Sequence, residues 1–207
     1  MVSAQVVKEL RELSGAGMMD CKKALQESNG DIKKAMEVLR KNGIAKAQKK
    51  VGRSALDGAI FPYIHPGSKL GVLLEVNCET DFVARTEGFQ EFCKDIAMHI
   101  AATSPVSIKR EDIPEDIVET EKEIFTDQSR KSGKPDDIIE KMITGRMNKF
   151  YQESVLLEQS FVKNPDMTIE ELLTDTIAKL GENISITRFS RFQLGENAPK
   201  TESPDSE

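Results

Sequence analysis

Apolar positions in the first third of the chain recur at helical spacing. Val6, Val7, Leu10 and Leu13 follow a possible Ser3 cap, and "SGAG" from Ser14 ends that run. "MMDCKKALQESNG" predicts a second short helix closing on Asn29-Gly30. Asp31 then caps a third, with Ile32, Ala35, Met36 and Leu39 inward, before Asn42-Gly43. Three helices within residues 1–45 share one very small core, a size at which independent stability is marginal. "AKAQKKVGRS" reads as a basic helical linker, placed at 46–54.

From Ala55 the period changes. "ALDGAIFPYI" and "KLGVLLEVNC" are apolar, β-branched runs separated by "HPGS", the pattern of a β-hairpin. A third strand, "NISITRFSRFQL" at 183–194, alternates through Ile184 and Ile186 to Phe189 or a neighbour and is expected to join the same sheet. Between them the pattern is helical over 86–103, about 114–131, about 135–157 and 168–181, with breaks at "TSP", "KSGKP" and "KNPDM". The pair joined across "SGKP" predicts a helical hairpin at about 114–157. The fold class is therefore α+β, with a core over 55–195. The acidic, Pro/Ser-rich residues 196–207 are expected to be a disordered tail.

Composition narrows the classes. The 207 residues are 31% charged and 38% hydrophobic with no Trp, which fits a soluble, helix-rich chain. No apolar run reaches the roughly 20 residues of a membrane span, and no secretory signal is expected at "MVSAQVVKELREL"; a cytosol-like compartment follows. Cys21, Cys78 and Cys93 are odd in number and widely spaced, and are expected to be reduced and mostly buried. Charge is divided unevenly: residues 1–53 hold 12 Lys/Arg against 6 Asp/Glu, and the remainder 17 against 29. Such asymmetry can mark a nucleic-acid arm or a docking surface for an acidic partner, but a solvated helical surface is the favoured reading. The basic front lacks interleaved aromatics, so nucleic acid is not an expected partner.

Motif chemistry is sparse. "GAGMMD" follows a helix instead of a strand, and "SGKP" lacks the upstream glycine and the following Ser/Thr of a phosphate loop. The two histidines, His65 and His99, are separated by a strand and a helix. No catalytic residue, metal ligand or cofactor is therefore assigned, and an enzyme is not expected. One residue stands out within "EVNCETDFVARTEGFQEF": Phe82 lies one heptad before Phe89 and would join Phe92, Cys93, Ile96 and Ile100 on a buried face if the helix were continuous. Alternatively Thr86 with Glu87 starts the helix after Phe82, leaving "ETDFVAR" as a surface connection that carries an exposed aromatic anchor. Periodicity favours the buried reading.

Taken in order, "VKELRELSGAGMMDCKKALQESNGDIKKAMEVLRKNG", "EVNCETDFVA", "GFQEF", "HIAATSP", "SGKPDDIIEKMITGRMNKF" and "ENISITRF" resemble segments of the translation elongation factor Ts family over residues 6–195. The resemblance implies an amino-terminal three-helix, ubiquitin-associated-like module, a linker, and an α+β core of three antiparallel strands with flanking helices and a helical hairpin. It also implies guanine-nucleotide exchange on elongation factor Tu. Thr80, Asp81, Phe82 and Val83 match the stretch that intrudes near that partner's magnesium and phosphate site. Docking contacts carry over to Arg11, Met18, Met19, Cys21 and Lys22, with His99 less central. Long members of the family hold two core subdomains and this chain has room for one, so a homodimer is a possible replacement. The host compartment is a bacterial cytoplasm or, alternatively, a plastid stroma or other organelle matrix. The rival function is a ubiquitin-like or nascent-chain-binding adaptor, which the three-helix module alone would serve.

Overall fold

A computed structural model of the chain describes residues 2–131 and 133–196. The expected tail beyond residue 196 lies outside the described residues. The first module is α1 (Ala4–Ser14), α2 (Met18–Glu27) and α3 (Ile32–Gln48). Ser3 and Asp31 cap α1 and α3 by accepting from Val6 N and Lys34 N, and Gly15, at φ 65°, ends α1 in the left-handed conformation that glycine adopts without strain. Their apolar stripes meet at Val7, Leu10, Cys21, Ala24, Leu25 and Ala35.

The third helix does not stop at Asn42-Gly43. It runs through both residues to Gln48, and Ala47 is buried in the main core. Tertiary contact outweighs the local break signal: Gly43 faces Ala178 so closely that an added Cβ would lie 3.4 Å from the alanine methyl. Part of the segment expected to be linker is thus the last turn of α3.

The core sheet has the order β1-β2-β5, with β1 (Asp57–Ile64) and β5 (Ile184–Gln193) both antiparallel to β2 (Leu70–Cys78). Val72, Leu74, Val76 and Cys78 point inward at every second position. Opposite them, β5 changes phase. Val76 pairs with Ile186 and Glu75 with Arg188, so Thr187 is an extra residue, and Phe189 rather than its neighbours returns to the inner face opposite Leu74.

After β2 comes a single helical turn, α4 (Asp81–Ala84), then α5 (Glu87–Thr103), whose Phe89, Phe92, Cys93, Ile96 and Ile100 form the layer against the sheet. The hairpin is α6 (Glu115–Arg130) with α7 (Asp136–Ser154), laced by Arg146 Nη1 donating to Gln128 Oε1 at 2.6 Å. "KNPDM", expected as a break, is instead strand β4 (Asn164–Thr168), paired with the short β3 (Ser160–Phe161) in a second sheet. Strand β3 is only two residues long, too short for a period to register, and the proline at 165 masks its partner. A capping box at Thr168 and Glu171 opens α8 (Ile169–Leu180), which lies between the core and α3. No helix among the described residues is long and apolar enough to cross a membrane.

Candidate functional site

The helix is not continuous from Phe82 to Phe89. Thr86 interrupts it: its hydroxyl accepts from Phe89 N at 3.3 Å, capping α5, and donates to Val83 O at 2.7 Å, closing α4. The heptad relation between Phe82 and Phe89 is therefore lost. Phe82 is 80% exposed while Phe89 is fully buried, which overturns the buried reading that periodicity favours.

Much of the backbone around that ring is tied down. Thr80 is the N-cap of α4, its hydroxyl accepting from Val83 N at 3.4 Å. Both polar groups of Thr80 also donate to one carboxylate, N–H to Glu182 Oε2 at 3.0 Å and Oγ1 to Glu182 Oε1 at 2.7 Å. Glu79 makes the converse bond, accepting from Asn183 N at 2.7 Å, with Arg53 Nη1 3.6 Å from its other oxygen. The Asn183 amide, aided by Arg53, holds the Glu79 carboxyl below its ordinary range. Cys78 Sγ donates to Thr80 O at 3.1 Å, and burial pushes that thiol up. Behind the turn, Ala84 is buried, Val83 packs on the core, and Gln90 Nε2 donates to Ala84 O at 2.7 Å.

Asp81 is held less firmly. Among the described residues it pairs with Arg85, at 2.9 Å; the arginine side chain is largely in water and the aspartate about half so, a setting in which such a pair contributes about 0 to 1 kcal/mol. Its carboxylate can change partners at small cost. The arrangement is an aromatic ring and a readily released carboxylate side by side on a rigid base.

The expected docking residues divide. Met18 and Met19 are 55% and 64% exposed at the start of α2, and Arg11 and Lys22 are exposed on α1 and α2. Asp20, on the same turn, reaches Lys46 at 2.8 Å and ties α2 to α3. Cys21 has no exposed surface and lies in the module core, 3.7 Å from Ser14 Oγ. His99 is equally buried. It accepts from Val162 N at Nδ1 (3.3 Å), so Nε2 carries the proton and donates to Gln159 Oε1 at 2.9 Å. Direct contact with a partner is closed to Cys21 and His99 in this structure. Cys21 directly precedes the exposed Lys22, so motif position alone could not separate an exposed residue from a buried one.

All three cysteines are free and buried, as their spacing predicts, and burial pushes Cys93 up to about 12. Among the described residues no group of three or more His, Cys, Asp or Glu side chains could hold a metal ion. The residues that sequence reading misses here are Glu79, Glu182 and Asn183. Their partners lie more than 100 positions away, beyond the reach of any local pattern.

Comparison with known proteins gives a class first: the similar curated chains are translation elongation factors. Elongation factor Ts of Carboxydothermus hydrogenoformans is 56% identical over 202 residues, 98% of this chain and 93% of the relative. That of Geobacter sulfurreducens is 57% identical over 202 residues, covering 98% and 94%, and that of Thermosipho melanesiensis 56% over 196 residues, covering 95% and 100%. The family model described as elongation factor TS matches residues 2–196. The chain belongs to the elongation factor Ts family.

Proposed function

We propose that this chain is a guanine-nucleotide exchange factor that binds elongation factor Tu in its GDP-bound form and promotes GDP release by disturbing the magnesium and phosphate site, so that GTP can enter. One observation carries the reading: a phenylalanine 80% exposed on a turn that is anchored by the clamped Thr80, the core-packed Val83 and the buried Ala84. A large ring held in water by so many contacts has no role in its own core, and such anchors dominate interfaces. Asp81, beside it, brings a negative charge toward a site organised around Mg2+.

The magnitudes call for a second contact. A thousandfold faster release requires about 4 kcal/mol of differential binding, at about 1.4 kcal/mol per tenfold. Burying one phenylalanine supplies roughly 1.5 to 3 kcal/mol. The three-helix module, docking through Arg11, Met18, Met19 and Lys22, adds affinity and keeps the ring at high local concentration. By linkage, GDP must weaken binding of this chain as much as this chain weakens binding of GDP. The adaptor reading uses the module alone and leaves the clamped ring without a purpose.

Two further assignments belong to this reading. The compartment is the bacterial cytoplasm, supported by the bacterial relatives. Two copies pair through the outer face of the sheet, where Ile64 and Phe192 flank Gly71 in one cross-strand row and both are more than 60% exposed. Release of a fluorescent GDP from elongation factor Tu, with and without this chain, tests the exchange reading.

A further inference from the structure

Glu182 lies in the turn between α8 and β5, 102 positions from Thr80, yet its carboxylate takes both of that residue's donors. The neighbouring pair is reciprocal. Glu182 grips the Thr80 amide, and Glu79 grips the Asn183 amide, so two chain crossings are stitched by a carboxylate from each side. The stitch sits immediately before α4, a helix of four residues. So short a helix has no stability of its own, because nucleation costs more than a single turn returns. The direction of Phe82 is thus inherited from whatever fixes Thr80.

Resting on the exchange reading above, we propose that Glu182 is a positioning residue for exchange: it holds Thr80 so that α4 presents Phe82 in the orientation that enters the partner's nucleotide site. The effect of Glu182 passes through the Thr80 hydroxyl, which receives Val83 N on one side and gives its proton to Glu182 Oε1 on the other. Arg53, just before β1, extends the stitch toward α3 through its contact with Glu79 and through its carbonyl, which accepts from Asn183 Nδ2 at 2.7 Å. The same cluster therefore links the base of α4 to the chain leading from the three-helix module.

Loss of a residue that only stabilises the fold would lower the fraction of folded protein and leave exchange per folded molecule unchanged. Loss of a residue that aims the ring lowers turnover, and only while the ring is present. The test is a double-mutant cycle on the full chain, measured as kcat and KM for release of fluorescent GDP from elongation factor Tu, with the folded fraction at the assay temperature taken from circular dichroism. Glu182→Ala is expected to lower kcat by about tenfold or more, in line with the cost of misplacing a reacting group by a fraction of an ångström, and to leave KM within about twofold. Glu182→Gln keeps the shape and one acceptor and should fall in between, which preserves the test if Glu182→Ala does not fold. In a Phe82→Ala background, Glu182→Ala should change kcat by less than about twofold. Wild-type kcat in both Glu182 variants, or the same fractional loss with and without Phe82, overturns the positioning role while leaving the exchange reading intact. Wild-type exchange in Phe82→Ala alone overturns both.

Discussion

On the proposed exchange reading, Phe82 and Asp81 separate partner contact from self-support at the scale of single residues. An exposed ring contributes little to its own fold, so Phe82→Ala should change stability by no more than about 0.5 kcal/mol; a core ring would cost about 3 to 5 kcal/mol. Asp81→Ala should be equally mild, because the cap of α4 is Thr80 and the Arg85 pair is solvated. Both variants should slow GDP release sharply, and thermal melts beside release kinetics check the two effects together. What sequence showed of this site was the four-residue stretch and its ring. What it hid was the ring's direction, since a heptad count cannot see that Thr86 restarts the helix. The clamp from Glu182 was hidden more deeply, because it is written in contacts across 102 positions.

Elements with several turns and a clear apolar period were legible: the three strands of the main sheet, the hairpin helices and α8 all lie within a few residues of where the pattern puts them. The failures share a cause. Helix α3 passes its Asn-Gly stop because α8 packs against Gly43 and the Arg40 guanidinium bonds Glu171 across the seam. Strands β3 and β4 were invisible because one is two residues long and the other contains a proline. That small sheet hangs on His99, whose Nδ1 accepts from Val162 N. Burial holds the imidazole below its ordinary value of 6.5. The unfolded chain therefore binds a proton more readily than the folded one: this stability is complete above the unfolded value and is lost as pH falls below it toward the folded one. Lowering the pH from 7 to about 5 should cost the wild-type chain more in melting temperature than His99→Gln, with calorimetry as the check.

Across the whole molecule, the three-helix module and the core meet along α3 and α8, beside a cavity of about 290 Å³ lined by Met36, Leu39, Gly43 and Ala178. Deleting residues 1–45 removes the module's own core but, of the main cluster, leaves even Ala47 in place. Circular dichroism should show the truncated core still folded, with exchange severely weakened because the ring has lost its tether. The outer sheet face predicts a dimer at micromolar concentration by light scattering, and Phe192→Glu should shift it toward monomer by placing a charge in the apolar row.

On the proposed reading exchange turns on Phe82, and the most direct measurement is release of fluorescent GDP from elongation factor Tu in the presence of equal folded amounts of the wild-type and Phe82→Ala chains. The expected result is a fall of about tenfold or more in release rate, corresponding to the roughly 1.5 to 3 kcal/mol that burying the ring supplies, with unchanged melting of the variant. A Phe82→Ala chain that releases GDP as fast as the wild type, or one that melts several kcal/mol earlier while exchanging normally per folded molecule, would contradict it.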